Sequence, residues 1–555
     1  MTSIRAAAVV DARPALRITV VVVTLGWLLV ILIWGEAPFA LTFDDAYYYF
    51  GIARNVADGH GSTFDQLNAT NGYHPLWLAL AVPFYAIGLD GLVAARALLA
   101  GQMVMYGAAF LLVAEAVGRA VGDWEAVRRL RGDGDARWCT AGLVVVFALL
   151  VVNPFVVKVF VNGLESAVVL VIDAALLWLV VRGMPAAAPH WVDDRSPRWR
   201  LGVGVLLALA FLARTDAVLL IACLGLWVLL ESWPLSGARV RGLLELCLPS
   251  AVTASVYLIA NYAAFGTAVQ VSGLVKQAPL DSGRLLVATA FVAMAGLVFI
   301  ATNRSHRLVA RRTRMSLTAA FLRRTGWFGS FSILLIGYYT VLQTQQWLWY
   351  FAPVVLYLVW LLTLLVADIF SAALVEADPT RSVARTLGPV GALLVVPFLI
   401  AAALQTRVFA DPDLRSIQLA NRDAGEWIAA NLPPDAVLAS WDAGVVGYFS
   451  ERRVINLDGV VNSLEWHEAG LRGETASILR EHDLGWIVNH GTDSSGRDLA
   501  IDAFIRSQFG EAALDGSSIE SSWPFVFSGI ATGSAGTAAP GSIPQAVFLY
   551  RLPPL

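Results

Sequence analysis

Two adjacent carboxylates, Asp44 and Asp45, lie just beyond the first long apolar run, in Thr42-Phe43-Asp44-Asp45-Ala46-Tyr47-Tyr48-Tyr49-Phe50. Acidic side chains at such a boundary are costly unless they bind something or titrate. One of them can take a proton from a hydroxyl while its neighbour orients that hydroxyl, holds a cation or bonds a ligand, which is general-base chemistry. The competing structural reading is a helix start, since Asp before Ala-Tyr-Tyr-Tyr-Phe is a good N-cap. The following stretch, Ala46 to Ala57, carries Arg54 and an aromatic face, and reads as an interfacial helix lying against the membrane.

Further along come residues that can hold an anion or a polar ring. His60 in Asp58-Gly59-His60-Gly61 and His74 in Asn71-Gly72-Tyr73-His74-Pro75 are candidate ligands or hydrogen-bond donors, against the alternative of turn residues beside Gly or Pro. Asn162 and Glu165, in Asn162-Gly163-Leu164-Glu165-Ser166, sit where a helix re-enters lipid, so Glu165 is either a cap or a second acid of the same cavity. Arg214 and Asp216 either pair with each other or offer a guanidinium fork to a phosphate. The chain has 39 Lys and Arg together, and only Lys158 and Lys276 are lysines. Lys276 is the preferred contact for an anionic lipid head group, with Arg214, Lys158 and Arg54 as further candidates and a snorkelling surface Lys as the bland alternative. Gln346, Trp349 and Tyr350 set an amide beside aromatic rings, which suits sugar binding as well as an interfacial aromatic belt.

These residues need a scaffold in lipid. Of the 555 residues, 57% are hydrophobic and 15% charged, and mean hydropathy is +0.66, a balance that a soluble domain of this size does not tolerate. A net charge of -3 argues against a nucleic-acid partner. Cys139, Cys223 and Cys247 fall in or beside apolar runs, which excludes a disulfide framework or a Cys-rich metal site. No Gly-rich phosphate loop, GxSxG elbow or HExxH is present.

Apolar runs predict eleven spans: Leu16–Trp34, Gly91–Val117, Cys139–Val157, Ser166–Val181, Leu201–Ala213, Ala217–Glu231, Leu243–Tyr262, Leu285–Thr302, Trp327–Leu342, Trp347–Val366 and Leu387–Leu404. The first is of spanning length and Glu36-Ala37-Pro38 is a poor cleavage site, so it is expected to remain as a helix. Leu76–Gly88 would reach only about 20 Å and is read as a juxtamembrane or re-entrant helix. This count keeps the Arg-rich loops, such as Arg304 to Arg324, on the side of the N-terminus, which the positive-inside bias makes cytoplasmic. The first loop, 36–75, and the C-terminal part, 405–555, are then outside a plasma (inner) membrane.

From Gln405 the composition turns mixed and polar, long enough for an α/β domain after a transmembrane part covering 1–404. Helices are expected at Asn421–Asn431 and Glu465–Glu481, and strands at Ala436–Ser440, Val454–Leu457, Gly485–Asn489 and Ala546–Tyr550. Trp441 to Tyr448 reads as strand-turn punctuation, and Gly533–Pro544 as a mobile loop. The fold class is thus mainly α, a polytopic bundle with a C-terminal extracytoplasmic α/β domain.

Taken in order, the Asp44-Asp45 pair, Ala53-Arg54-Asn55, Asp58-Gly59-His60-Gly61, Asn162 to Ser166, Ala213-Arg214-Thr215-Asp216, the Phe265–Lys276 loop, Trp349-Tyr350-Phe351-Ala352-Pro353, Asp442-Ala443-Gly444 and Asp458-Gly459 resemble the GT-C glycosyltransferases. The resemblance is nearest to the actinobacterial arabinofuranosyltransferases of cell-wall arabinan assembly, from which Asn71-Gly72-Tyr73-His74-Pro75 departs. It implies an inverting transfer from a polyprenyl-phosphate sugar to a cell-envelope glycan or lipid, with an Asp of the pair as base and Lys276 or Arg214 neutralising the phosphate. It implies no required cofactor, with a divalent cation at Asp44, Asp45 and Glu165 left open. The alternatives are a transporter or flippase of lipid-linked sugars, which would want midplane charges and paired halves, and a non-catalytic assembly partner.

Overall fold

In a computed structural model, residues 11–129, 137–183, 195–231, 235–308, 317–373, 381–411, 416–492, 499–509, 517–527 and 543–553 are described. Among the described residues, six helical segments are long and apolar enough to cross a membrane: Arg13–Ile33, Gly91–Arg119, Gly237–Phe265, Ser282–Thr302, Phe321–Leu342 and Leu348–Ile369. Shorter apolar helices, including Ser166–Val181 and Thr215–Leu230, fill in between them. Rows of Ile, Leu and Val on Arg13–Ile33, Gly237–Phe265 and Ser282–Thr302 are exposed, which only lipid can solvate on this scale. The chain is therefore a multi-pass membrane protein, mainly helical, with one small sheet.

Two expected spans differ in a way that shapes the site. The run Cys139–Val157 is not one helix: it breaks at Asn153–Pro154, and the pieces Gly142–Val152 and Pro154–Phe160 meet at 55°. Pro154 cannot continue the ladder, and the Asn153 side chain accepts from Phe155 N to start the second piece. Counting that pair as one span gives up to seven among the described residues, and of the eleven expected runs those at Ser166–Val181 and Thr215–Leu230 form apolar helices that are shorter. At Arg214 the backbone turns extended (φ -155°, ψ 126°), ending Pro197–Ala213 and starting the short turn Thr215–Ala217. Of the arginines read as cytoplasmic, Arg131, Arg311, Arg312 and Arg314 lie outside the described residues.

The Asp44–Ala57 helix corrects another expectation. It does not lie against lipid: Tyr47, Tyr48, Tyr49 and Phe50 are all buried. Successive residues of a helix point about 100° apart, so three tyrosines in a row cannot share one face. Each finds its own neighbour: Tyr47 packs on Phe39 and Tyr448, Tyr48 on Phe64, and Tyr49 reaches Glu165. The Pro75–Ala86 helix packs beside it.

Beyond the Arg381–Ala410 helix the chain builds a mixed five-stranded sheet. In the order β2 (Arg453–Asn456), β1 (Val437–Ser440), β3 (Trp486–Thr492), β5 (Ile543–Arg551) and β4 (Ser518–Phe527), the first three strands run parallel and β3, β5 and β4 pair antiparallel. Strand side chains alternate. Leu438, Val454, Val488, Val547 and Leu549 face the core continuous with the membrane helices. Their neighbours Val437, Ala439, Ile455, Ile487, Phe548 and Tyr550 build a second core with Trp466, Leu479 and Ile505.

Here too the sequence reading is amended. Glu465–Glu481 is two helices, Leu464–Arg472 and Thr475–Glu481, because Gly473 takes φ +71° and ends the first. Trp441–Tyr448 contains a helix, Ala443–Ser450, where punctuation was expected. β4 and the Leu499–Phe509 helix had no counterpart in the reading of the chain. Of the expected mobile loop, 533–542 lies outside the described residues and 543–544 open β5.

Candidate active site

The two carboxylates are the first two residues of their helix, with Phe43 as N-cap, so neither caps it. One step apart on a helix, they face different partners. Both Asp44 oxygens accept backbone N–H groups at 2.8 Å, from Gly444 and Val445 at the start of the Ala443–Ser450 helix. A Cβ on Gly444 would lie 2.2 Å from the Asp44 carbonyl oxygen, so only glycine permits this approach. Asp45 turns the other way, into a cavity of about 210 Å³, and its Oδ2 lies 3.7 Å from Nζ of Lys276.

Burial, with the Asp442 carboxylate nearby, pushes Asp44 up to about 8 against the lowering effect of its two N–H donors. Burial likewise raises Asp45, opposed by Lys276 and reinforced by Asp442 and Glu165. For Lys276, burial disfavours the charge, but Asp45 and the Tyr350 hydroxyl outweigh it and hold the ammonium above its ordinary range. Its Nζ donates to Tyr350 Oη at 3.1 Å.

Arg214 organises the opposite wall. It is buried, and its fork donates to Glu165 Oε1 at 2.9 Å and to Asp216 Oδ2 at 2.7 Å. It also donates to the Tyr339 hydroxyl, which in turn donates to Asp216 at 2.6 Å. Tyr339 stacks on Tyr350 at 4.3 Å, tying this wall to Lys276. Glu165 is placed by the turn before Ser166, where Gly163 takes φ +82°. Asn162 bonds Val159 O and Leu164 N and so builds that turn. Trp77 Nε1 and Gln102 hold Gly163 from outside it.

The cavity therefore brings together Asp45, His74, Glu165, Arg214, Asp216, Lys276, Trp349 and Tyr350 from widely separated stretches. Several other candidates lie elsewhere. Arg54 lies over the Tyr448 ring, 3.4 Å from Asp90, and His60 and Gln346 are exposed. Asn162 serves the turn, and Asp44 serves the C-terminal part. Lys158 does not line the cavity; it sits over the Phe43 ring at 4.9 Å, and Phe43 packs on Trp349. Among the described residues no three His, Cys, Asp or Glu side chains converge to hold a metal. Asp44, Asp45 and Glu165 each face a different partner, which gives a cation no shared set of oxygens.

Sequence reasoning missed Tyr49, Gln270 and Tyr339. Tyr49 Oη donates to Glu165 at 3.2 Å and accepts from His74 N at 2.9 Å. Gln270 bridges Thr215 and His74. A tyrosine inside a hydrophobic helix looks like belt or core, and only the fold reveals which one meets a charge; Gln270, the one amide of the Phe265–Lys276 loop, was the usable signal. The C-terminal part also contributes Val460 and Val461 to the cavity. Gly72 makes that possible, since a Cβ there would meet Val460 O at 2.0 Å. Asp458, on the same turn, is pushed up to about 7 by burial, with Asp45 and Asp442 adding to it and Lys276 opposing.

A family model described as "Domain of unknown function (DUF8728)" matches residues 411–537, the sheet-bearing part alone. No curated protein matches the chain. Among solved structures, ArnT from Cupriavidus metallidurans bound to undecaprenyl phosphate is similar at 13% identity and a TM-score of 0.48, over 95% of this chain and 97% of that one. An oligosaccharyltransferase from Archaeoglobus fulgidus tethered with an acceptor peptide is similar at 12% identity and a TM-score of 0.48, over 95% of this chain and 74% of that one. Likeness of this degree decides neither family nor activity, which rest on the site itself.

Proposed function

We propose that the chain is a GT-C type glycosyltransferase that moves a sugar from a polyprenyl phosphate to a hydroxyl of a cell-envelope glycan or lipid acceptor, outside the plasma membrane. The observation that carries the reading is the Asp45–Lys276 pair: a carboxylate raised by burial, 35% exposed to the cavity, beside a cation 3.7 Å away. A base needs a proton affinity near its working pH, and burial moves Asp45 in that direction. Arg214 is held by two carboxylates, so Lys276 is the better contact for an incoming phosphate.

In the step so assigned, the acceptor oxygen attacks the anomeric carbon as its proton passes to Asp45. The bond from that carbon to the phosphate oxygen breaks, and polyprenyl phosphate leaves with the electron pair, drawn to Lys276. Attack opposite the leaving group inverts the centre. Phosphate is a good leaving group, so acceptor activation and charge neutralisation are the main demands on the protein. The sheet-bearing part contributes Val460 and Val461 to the cavity wall, which supports our assignment of that side to the acceptor.

Within this class, an arabinofuranosyl donor is the sugar of the group that the motif order is nearest to, and Asn71-Gly72-Tyr73-His74-Pro75 departs from that group. Purified protein in lipid nanodiscs, given a panel of polyprenyl-phosphate sugars and an envelope acceptor, should form product with at least one donor. Transfer that persists unchanged in Asp45→Asn would remove the assigned base.

A further inference from the structure

Gln270 is the N-cap residue of the short Val271–Val275 helix, and its side chain is almost wholly enclosed, at 6% exposure. Buried amides satisfy both ends, and here the partners fix which end is which. Gln270 Nε2 lies 3.1 Å from the Tyr73 carbonyl, and Oε1 accepts from the Thr215 hydroxyl at 2.9 Å. A carbonyl only accepts, so the atom facing Tyr73 is the amide nitrogen. That same nitrogen lies 3.0 Å from His74 Nδ1. A donor facing Nδ1 requires a lone pair there, which puts the ring proton on Nε2.

Nε2 looks into the cavity. Glu165 Oε1 is 3.7 Å away, beyond a direct bond, and among the described residues no hydrogen-bond acceptor of Nε2 is closer. The backbone that carries the ring is fixed, because its N–H donates to Tyr49 Oη and the following Pro75 restricts the residue to an extended conformation (φ -90°, ψ 124°), and Gln270 then holds the ring through Nδ1. Burial pushes the imidazole below its ordinary pKa; Glu165 and Asp216 pull the other way, while Arg214 and Lys276 add to the lowering. An N–H donor and a carboxylate side by side, with a gap between them, are complementary to a hydroxyl, which both accepts and donates. The Glu165 carboxylate disfavours a phosphate there, since phosphate is anionic and its oxygens compete for the same donor.

We propose that Gln270 is the positioning residue that holds His74 in its Nε2–H tautomer, and that this N–H with Glu165 reads a hydroxyl of the donor sugar. The identity of the ligand rests on the glycosyl-transfer reading; the tautomer does not.

The test begins with full-length protein in nanodiscs, labelled with ¹⁵N-histidine. The chain has seven histidines, so the His74 signals are those lost in His74→Gln. The expected wild-type spectrum near neutral pH shows Nε2 protonated and Nδ1 bare, and Gln270→Glu, whose carboxylate accepts only, moves a proton to Nδ1. A wild-type ring protonated on Nδ1, alone or together with Nε2, overturns the proposal. In a second arm, His74→Leu should weaken binding of a polyprenyl-phosphate sugar about tenfold, leave bare polyprenyl phosphate within about twofold, and be partly rescued by His74→Gln. Equal losses for both ligands would overturn the sugar assignment. Wild-type protein that transfers no sugar would refute the functional reading instead, and the tautomer result would stand.

Discussion

Replacing Asp45 by Asn tests the mechanism most directly, because the structure separates it from its neighbour. Asn keeps the size and removes the basic oxygen, so transfer should fall by about 10²- to 10⁴-fold, the range for a lost general base. The wild-type rate should fall with decreasing pH, since a protonated Asp45 cannot accept the acceptor's proton. The midpoint of that limb should lie above the ordinary carboxylate value of 3.8, because burial raises Asp45. Lys276 opposes that rise, and a bound phosphate would draw the ammonium away. At 3.7 Å their attraction is about 1 kcal/mol in water and about 4 kcal/mol at an effective dielectric of 20. With Asp45 35% exposed, screening favours the low end, about 1 to 1.5 kcal/mol. The limb of kcat, which reports the donor complex, should therefore sit above that of kcat/KM, which reports the free enzyme. Single-turnover transfer across pH, with wild type, Asp45→Asn and Lys276→Gln, measures both. Coincident limbs in the wild type, or a limb that survives in Asp45→Asn, would refute the reasoning.

Other consequences concern the scaffold. Arg214→Gln leaves Glu165 and Asp216 buried without their cation and should lower stability by about 3–5 kcal/mol, read as a fall in Tm in detergent; an unchanged Tm would deny Arg214 that role. Gly444→Ala drives a methyl into the Asp44 carbonyl and should expose the junction between the helices and the sheet to limited proteolysis, whereas Gly470→Ala, with open space around it, should not. Lys158→Met should leave folding and KM for the lipid-linked donor unchanged, because among the described residues Lys158 meets a ring and no carboxylate and lies outside the cavity; a KM raised severalfold would restore it as a phosphate contact.

Hydropathy and turn chemistry made much of this protein legible before any coordinates. Lipid is the dominant solvent for a chain this apolar, and β1, β2, β3 and β5 were legible near their observed positions. Glu165, Arg214, Asp216 and Lys276 stood out for an elementary reason: charges beside lipid are expensive and must have a use or a partner. The Asp pair stood out likewise, yet local sequence could not divide its labour. That division depends on the Ala443–Ser450 helix, some 400 residues away in the chain, whose first N–H groups take Asp44 and leave Asp45 to the cavity. Tertiary structure also decided that three tyrosines would be buried on three sides of one helix, and that Gln270 would meet His74. Periodicity carries information about one face of one element, whereas these contacts are set by which elements close upon one another.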